Sequence, residues 1–333
     1  MQRSLKLCLG LLVSILGVMF VINKVNWSSF YKNLLFIEPL YVLYTVLLMF
    51  VNLLFRAKRW QILLKPHIKI RLINDSFNYY SIGYMANMLL PFKPGEILRP
   101  YLLSKKLNAR KTPIFATILL ERLYDVLILT ALFIITMLFI PISIPLSVIQ
   151  PIIFIGITAL FVIVFFLFLL VKPSIIIDTF NFNWLSIKYF KKLIYFSNLA
   201  LEGMKSLLNL WTILYLVLLT VIIYLCSIFM VISCAKAFGL ILYWYVPVIA
   251  VIITNYGMAI PSTPGSIGLA HALWVFSLMI FGIEKHEALG VAIIIHGIGF
   301  IVVVITGLIS LWLEGLHFQS IRKGISLSDN NYA

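Results

Sequence analysis

Pro91-Phe92-Lys93-Pro94-Gly95-Glu96-Ile97 and, 170 positions later, Pro261-Ser262-Thr263-Pro264-Gly265-Ser266-Ile267 share one pattern, Pro-x-x-Pro-Gly-x-Ile. Each copy follows an apolar run containing a Tyr, a Gly, a Met and an Ala. Proline removes a backbone donor and glycine admits tight turns, so each motif ends one half-helix and begins another. In water such a break is unremarkable. In lipid it leaves backbone groups that are tolerated only when buried in protein or facing a wet cavity.

The solvent follows from composition. Of 333 residues, 62% are hydrophobic and 11% charged, a polar remainder too small to cover so large an apolar mass in water. The chain reads as an all-α polytopic membrane protein. Lys and Arg number 26 against 11 Asp and Glu, a net charge of +15. That surplus fits basic cytoplasmic loops facing anionic headgroups better than a nucleic-acid partner. Cys8, Cys226 and Cys234 all fall in apolar stretches without metal-ligand or disulfide spacing, so neither a metal nor a cofactor is expected.

Apolar segments of spanning length run 7–22, 39–55, 113–140, 148–171, 207–235 and 288–313, six full spans. Two further segments are short or broken, 77–90 and the pair 241–260 with 266–282. A 14-residue helix is roughly 21 Å long against a hydrocarbon core of roughly 30 Å, so the first should enter and turn back. The second is either a similar re-entrant hairpin or two short complete spans. Arg56, Lys58, Arg59, Lys65, Lys69 and Arg71 lie on one side of the first hairpin and Lys105, Lys106, Arg110 and Lys111 on the other, which places both flanks in the cytoplasm. Continued parity puts the loop 172–206 and both termini inside a prokaryotic cytoplasmic membrane. Within that loop Trp184, Ile187, Phe190, Leu193 and Ile194 recur at helical spacing opposite Lys188, Lys191 and Lys192, a basic amphipathic helix suited to the headgroup plane.

The first copy then dips from the cytoplasmic side and the second from the outer side, each between two long spans. The expected architecture is an inverted repeat with two broken re-entrant hairpins. Its segments are a first span and outer loop (1–38), repeat 1 (39–140), a connecting span with the basic helix (141–206), repeat 2 (207–315) and a tail (316–333). Paired broken helices at matching positions point to a transport site.

The stretch from Gly83 to Lys105, with Asn87, Leu90-Pro91, Pro94-Gly95-Glu96, Arg99 and Tyr101-Leu102-Leu103, is followed by Glu121-Arg122-x-x-Asp125. It resembles the membrane region of lysylphosphatidylglycerol synthases and their stand-alone flippase-like relatives. Pro261-x-x-Pro264-Gly265-x-x-Gly268 is similar to the second signature of that family, and the likeness runs from about residue 10 to 315. It implies a protein that handles membrane lipids, with an anionic phospholipid or a polyprenyl phosphate as partner. The family often carries an Arg in the last span where this chain has His296.

Candidate site residues follow from charges placed where lipid should be. Val126 to Ile140 supplies 15 uncharged residues, about 22 Å of helix, so Glu121, Arg122 and Asp125 must also lie within the hydrocarbon. Arg122 and Asp125, three apart, can pair. Such residues mark either a functional site or an ion pair stapling two helices. Lys93, Glu96 and Arg99 stand beside the first break, where a half-helix begins around Gly95 and its free N–H groups favour an anion such as phosphate. Lys93 and Arg99 would serve as point charge and fork, or simply as interfacial positive-inside charge. The second break offers Ser262, Thr263, Gly265 and Ser266, uncharged groups suited to helix capping or to a headgroup. His271 and His296 are packed side chains or a proton relay.

The expected function is to bind or translocate an anionic headgroup in a polar groove between the two breaks, with no catalytic residue. The alternatives are the membrane part of an aminoacyl-phospholipid synthase system and an ion-coupled small-solute transporter. The synthase alternative is the weaker by sequence, because only 17 residues follow Leu316.

Overall fold

The computed structural model describes residues 2–68, 73–91, 93–140, 209–260 and 262–317, together with residues 150 and 157. The expected span 148–171 and the basic helix of the 172–206 loop lie outside these apart from single positions. Among the described residues the structure is helical throughout, with ten α-helices and one short 3₁₀ turn.

Helix α1 (Gln2–Ile22) meets α2 (Trp27–Leu35) at a bend of 84°. Asn26 opens α2, its side-chain oxygen accepting from the Ser29 N–H at 3.1 Å. α3 (Pro39–Leu64) starts with proline at a position that needs no donor. α4 (Ile73–Leu89) and α5 (Gly95–Lys106) flank the first break, and α6 (Lys111–Phe139) follows. Further along the chain come α7 (Leu210–Ala237), α8 (Tyr245–Gly257), a 3₁₀ turn at Pro264–Ser266, α9 (Leu269–Met279) and α10 (Lys285–Leu313).

Three helices, α3, α7 and α10, are long and apolar enough to cross a membrane, and the bent pair from Gly10 to Leu35 makes a fourth if it counts as one span. Of the six spans expected, the described residues thus show three or four by length and apolarity. α3 also runs nine residues past the expected end at 55, so Arg56, Lys58 and Arg59 are helical rather than loop residues. Nothing in the run from Phe55 to Leu64 breaks a helix; Asp125 and Glu121 on α6 accept the Arg59 charge, while Arg56 and Lys58 bond Asn52 and Gln61 of α3 itself.

Large apolar side chains cover much of the exterior, while polar and charged groups are buried inside beside an apolar core. Leu40, Leu43, Leu47, Phe50 and Leu54 form an exposed stripe along α3, while Asn52 and Arg59 on the other face are buried. That arrangement is stable only with lipid as solvent.

α3 and α7 run antiparallel. The Glu38 N–H meets the Ala237 carbonyl at 3.0 Å, Ser233 Oγ donates to the Tyr41 carbonyl at 2.8 Å, and Asn52 Nδ2 donates to the Ile223 carbonyl at 2.7 Å. Arg59 Nη1 reaches Thr220 Oγ1 at 3.1 Å. Interhelical hydrogen bonds in membranes are worth about 1 kcal/mol each, so this seam rests on several together with its packing. The short helix entering each break packs on a long helix of the other half. α4 meets α10, where Gly307 lies against the Met85 side chain, and α8 meets α6, where the Tyr256 and Thr130 hydroxyls are 2.9 Å apart. α1 seats on the second break: Ser14 Oγ accepts from the Thr263 N–H at 3.1 Å, and Gly17 closes on the Gly268 backbone. Lys285 Nζ donates to the Phe20 and Asn23 carbonyls at 2.5 and 2.7 Å, satisfying orphan acceptors at the end of α1.

Candidate functional site: a charged cavity between two broken hairpins

The half-helix α5 crosses α4 with almost no separation. A Cβ on Gly95 would fall on the Gly83 carbonyl, and a Cβ on Gly83 would stand 2.8 Å from Arg99 Cβ. This contact turns the first residues of α5 into the protein and lets Asn87 on α4 reach over: its Oδ1 accepts from the Gly95 N–H at 2.7 Å. The next N–H groups of α5 are taken by its own turn, Glu96 by the Lys93 carbonyl at 3.3 Å, with Ile97 and Leu98 bonding Pro94 at 3.0 and 2.9 Å. The expectation of free N–H groups awaiting an anion is therefore corrected. The chain's own groups satisfy them, and any anion must be held by side chains.

Those side chains converge on a cavity of about 540 Å³. Lys93, Gly95, Glu96, Arg99, Arg122, Asp125 and Ser266 line it, seven of the twelve residues expected at the site. Arg56 on α3 lines it too, as do Tyr84, Tyr224 and Asn255. Glu121 stands behind the wall, fully buried. Ser262, Thr263, Gly265 and His296 are not on the lining.

The charges are paired in a definite order. Arg59, 1% exposed, donates to Asp125 at 2.7 Å and lies 3.9 Å from Glu121. Arg99 pairs with Glu121 through Nη2 and Oε2, and its guanidinium carbon sits 4.8 and 4.5 Å from the Trp60 and Tyr80 ring centroids. Cation–π contact of this kind adds about 1 kcal/mol or more where desolvated. Arg122 bridges Glu96 at 3.1 Å and Asp125 at 3.4 Å, and its side chain is 47% exposed. Arg122 is thus open to the cavity mouth, while Arg99 is a wall element held by Glu121 rather than a free fork. Removing one member of such a buried pair costs about 3–5 kcal/mol, because the other charge is stranded.

Two cations differ from the rest. Arg56 Nε donates to Asn52 Oδ1 at 2.8 Å, and Lys93 Nζ donates to the Met258 carbonyl at 2.5 Å. Neither has a carboxylate partner among the described residues. Lys93 also holds φ at 51°, left-handed for a non-glycine residue, which costs roughly 1–3 kcal/mol. Its bond to Met258, just beyond α8, joins the first break to the second hairpin. Gly265 approaches the same place, since a Cβ there would lie 3.5 Å from the Met88 carbonyl oxygen. The two turns are neighbours.

The second break is tied to the scaffold. Ser262 donates to Ser266 at 3.1 Å, Thr263 donates to the Ile267 carbonyl at 3.1 Å, and Ser14 on α1 lies 2.9 Å from the Thr263 hydroxyl. The expectation that these residues cap the following helix is overturned: Gly268, at φ 89°, opens α9, and no side chain caps it. Gly265 and Gly268 both take positive φ, the backbone turn a side chain would resist. His296 rests beside His271, with ring centroids 4.7 Å apart, and interacts with the Gly265 backbone.

Sequence reading missed Arg56 and Arg59 by placing them in a loop. A signal was present, because Asn52, Arg56 and Arg59 fall at the i, i+4, i+7 spacing of one helix face. Trp60 and Tyr80, which cradle Arg99, carried no such mark.

Broken helices around a polar cavity, with an apolar exterior, define an integral membrane protein with a buried charged site. The family pattern described as Lysylphosphatidylglycerol synthase TM region matches residues 7–307. The chain belongs to that family. Neither a search of curated proteins nor one of solved structures returns a match.

Proposed function

We propose that this protein binds the headgroup of an anionic lipid in the cavity and passes it across the prokaryotic cytoplasmic membrane, without covalent chemistry. The observation that carries this reading is the cavity's charge. Arg56, Arg59, Lys93, Arg99 and Arg122 stand in or directly behind its wall against Glu96, Glu121 and Asp125, five cations to three carboxylates. A surplus of positive charge in a partly buried cavity of an apolar body is costly, and an anion relieves it. The reading includes an inverted repeat, α3–α6 against α7–α10. Three features support it: the antiparallel seam of α3 with α7, the crosswise packing of α4 on α10 and α8 on α6, and the shared Pro-x-x-Pro-Gly breaks. Both termini are then cytoplasmic and the charged wall faces the inner half of the bilayer. The family's description favours a second reading, in which the chain is the membrane part of a system that also aminoacylates phospholipid. The cavity would serve either.

Reconstitution into liposomes carrying a tail-labelled fluorescent phosphatidylglycerol tests the proposal, with an impermeant quencher reporting transfer between leaflets. The protein should accelerate transfer over empty liposomes. Arg122→Gln, which leaves the Arg59–Asp125 and Arg99–Glu121 pairs in place, should slow it roughly tenfold, equivalent to about 1.4 kcal/mol. Transfer no faster than in empty liposomes, or an unaffected variant, would remove the cavity from the function.

A further inference from the structure

The three carboxylates around the cavity are already committed. Glu121 is held by Arg99, Asp125 by Arg59 and Arg122, and Glu96 by Arg122. The five cations outnumber these carboxylates by two, and among the described residues Arg56 and Lys93 are the two that form no direct ion pair with any of them. Each reaches the cavity from a different element, α3 and the first break, and each rests on a neutral oxygen, Asn52 Oδ1 or the Met258 carbonyl. A neutral amide or carbonyl satisfies a hydrogen bond but cancels no charge, and each cation keeps further N–H donors for an anion. The site asks for two negative charges.

We propose that the headgroup taken by this cavity is a lipid phosphomonoester, which approaches two negative charges near neutral pH, rather than a singly charged phosphodiester. The proposal rests on the lipid-binding reading above and narrows it. Near neutral pH a monoester phosphate carries about −1.5 to −2, its second ionisation lying near pH 6. It also presents three free oxygens. The Arg56 guanidinium can take two of them as a fork and the Lys93 ammonium the third as a point charge. A phosphodiester has only two free oxygens and one charge, so one of the two cations would stay uncompensated. The volume, about 540 Å³, lies within the usual range for small-molecule sites and leaves room around the phosphate. Lys93 keeps two further N–H donors beside the one that bonds the Met258 carbonyl, so a phosphate bound to it would sit against the tie between the two hairpins.

The test measures dissociation constants of the full chain in neutral detergent for lipids with identical acyl chains. These are phosphatidic acid as the monoester, phosphatidylglycerol as the diester and diacylglycerol as the uncharged control, with inorganic phosphate as a competitor. Phosphatidic acid should bind at least about tenfold more tightly than phosphatidylglycerol, the scale of one added charge contact. Arg56→Gln and Lys93→Gln should each bring that ratio below about 3. Arg56→Lys and Lys93→Arg should keep most of it, which separates charge matching from damage to the fold. Phosphatidylglycerol binding as tightly as phosphatidic acid to the unmodified protein would overturn the monoester assignment while leaving lipid binding intact. Neither lipid exceeding diacylglycerol would instead overturn the underlying reading. Inorganic phosphate displacing phosphatidic acid at equal concentration would show that the site reads free phosphate and would overturn the lipid source.

Discussion

Gly95 has no room for a side chain, because its Cβ would occupy the Gly83 carbonyl. Neither backbone can retreat without separating α4 from α5 and breaking the Asn87 bond to the Gly95 N–H. Gly95→Ala should therefore destabilise the protein by roughly 2–4 kcal/mol, in the range of severe overpacking with a lost cap. Gly297 on α10 has open space around its Cβ position. Gly297→Ala, in a helix interior, should be neutral or stabilising by up to about 1 kcal/mol. Thermal unfolding of both variants in detergent checks the contrast, and equal melting temperatures would refute the close crossing. At the same scale, Arg99 lines the cavity with its guanidinium already engaged. Its sequence neighbours place it at the start of a half-helix, but Glu121 and two aromatic rings determine where its charge goes.

At the scale of elements, the end of α10 shows how a break is held in place. Glu314, just past the last turn, accepts from Asn78 Nδ2 at 2.8 Å, Tyr79 Oη at 2.9 Å and Lys106 Nζ at 2.8 Å. One carboxylate thus gathers α4 and the far end of α5 onto α10. Partial burial pushes the Glu314 carboxyl up, but the hydrogen bonds from Asn78, Lys106 and Tyr79 outweigh it and hold the group below the usual glutamate value. A depressed carboxylate contributes stability that is fully present above its unfolded value, about 4.3, and is lost as pH falls through the lower folded value. The melting temperature should drop between about pH 4.5 and pH 3, and Glu314→Gln should flatten that part of the profile. A variant profile as steep as the parent's would dissociate this latch from acid sensitivity.

For the molecule as a whole, the antiparallel seam of α3 with α7 is the contact on which the inverted-repeat reading depends. Thr45 Oγ1 lies 3.6 Å from Cys234 Sγ across it. Thr45→Cys should form a disulfide with Cys234 under mild oxidation of membranes, detected by peptide mass spectrometry as a link between the two helices. A link to Cys226 instead, two turns away along α7, would mean a different register.

Much of the architecture was written along the chain. Lipid as solvent followed from composition, the helices from length and apolarity, and the two breaks from Pro91 to Gly95 and Pro261 to Gly265. Those are local properties, since a proline interrupts a helix whatever surrounds it. The i, i+3 pairing of Arg122 with Asp125 was equally local. The pairing of Arg59 with Asp125, 66 positions apart, was not, nor was that of Arg99 with Glu121, 22 positions apart. In a body surrounded by lipid, water offers no alternative partner for a buried charge, so each takes the opposite charge that helix packing brings near. The sequence by itself determined the solvent, the all-helical class and where the two Pro-Gly breaks fall. Only the tertiary structure decided which cations pair with a carboxylate and which two, Arg56 and Lys93, do not among the described residues, because that depends on distances between helices that no local pattern encodes.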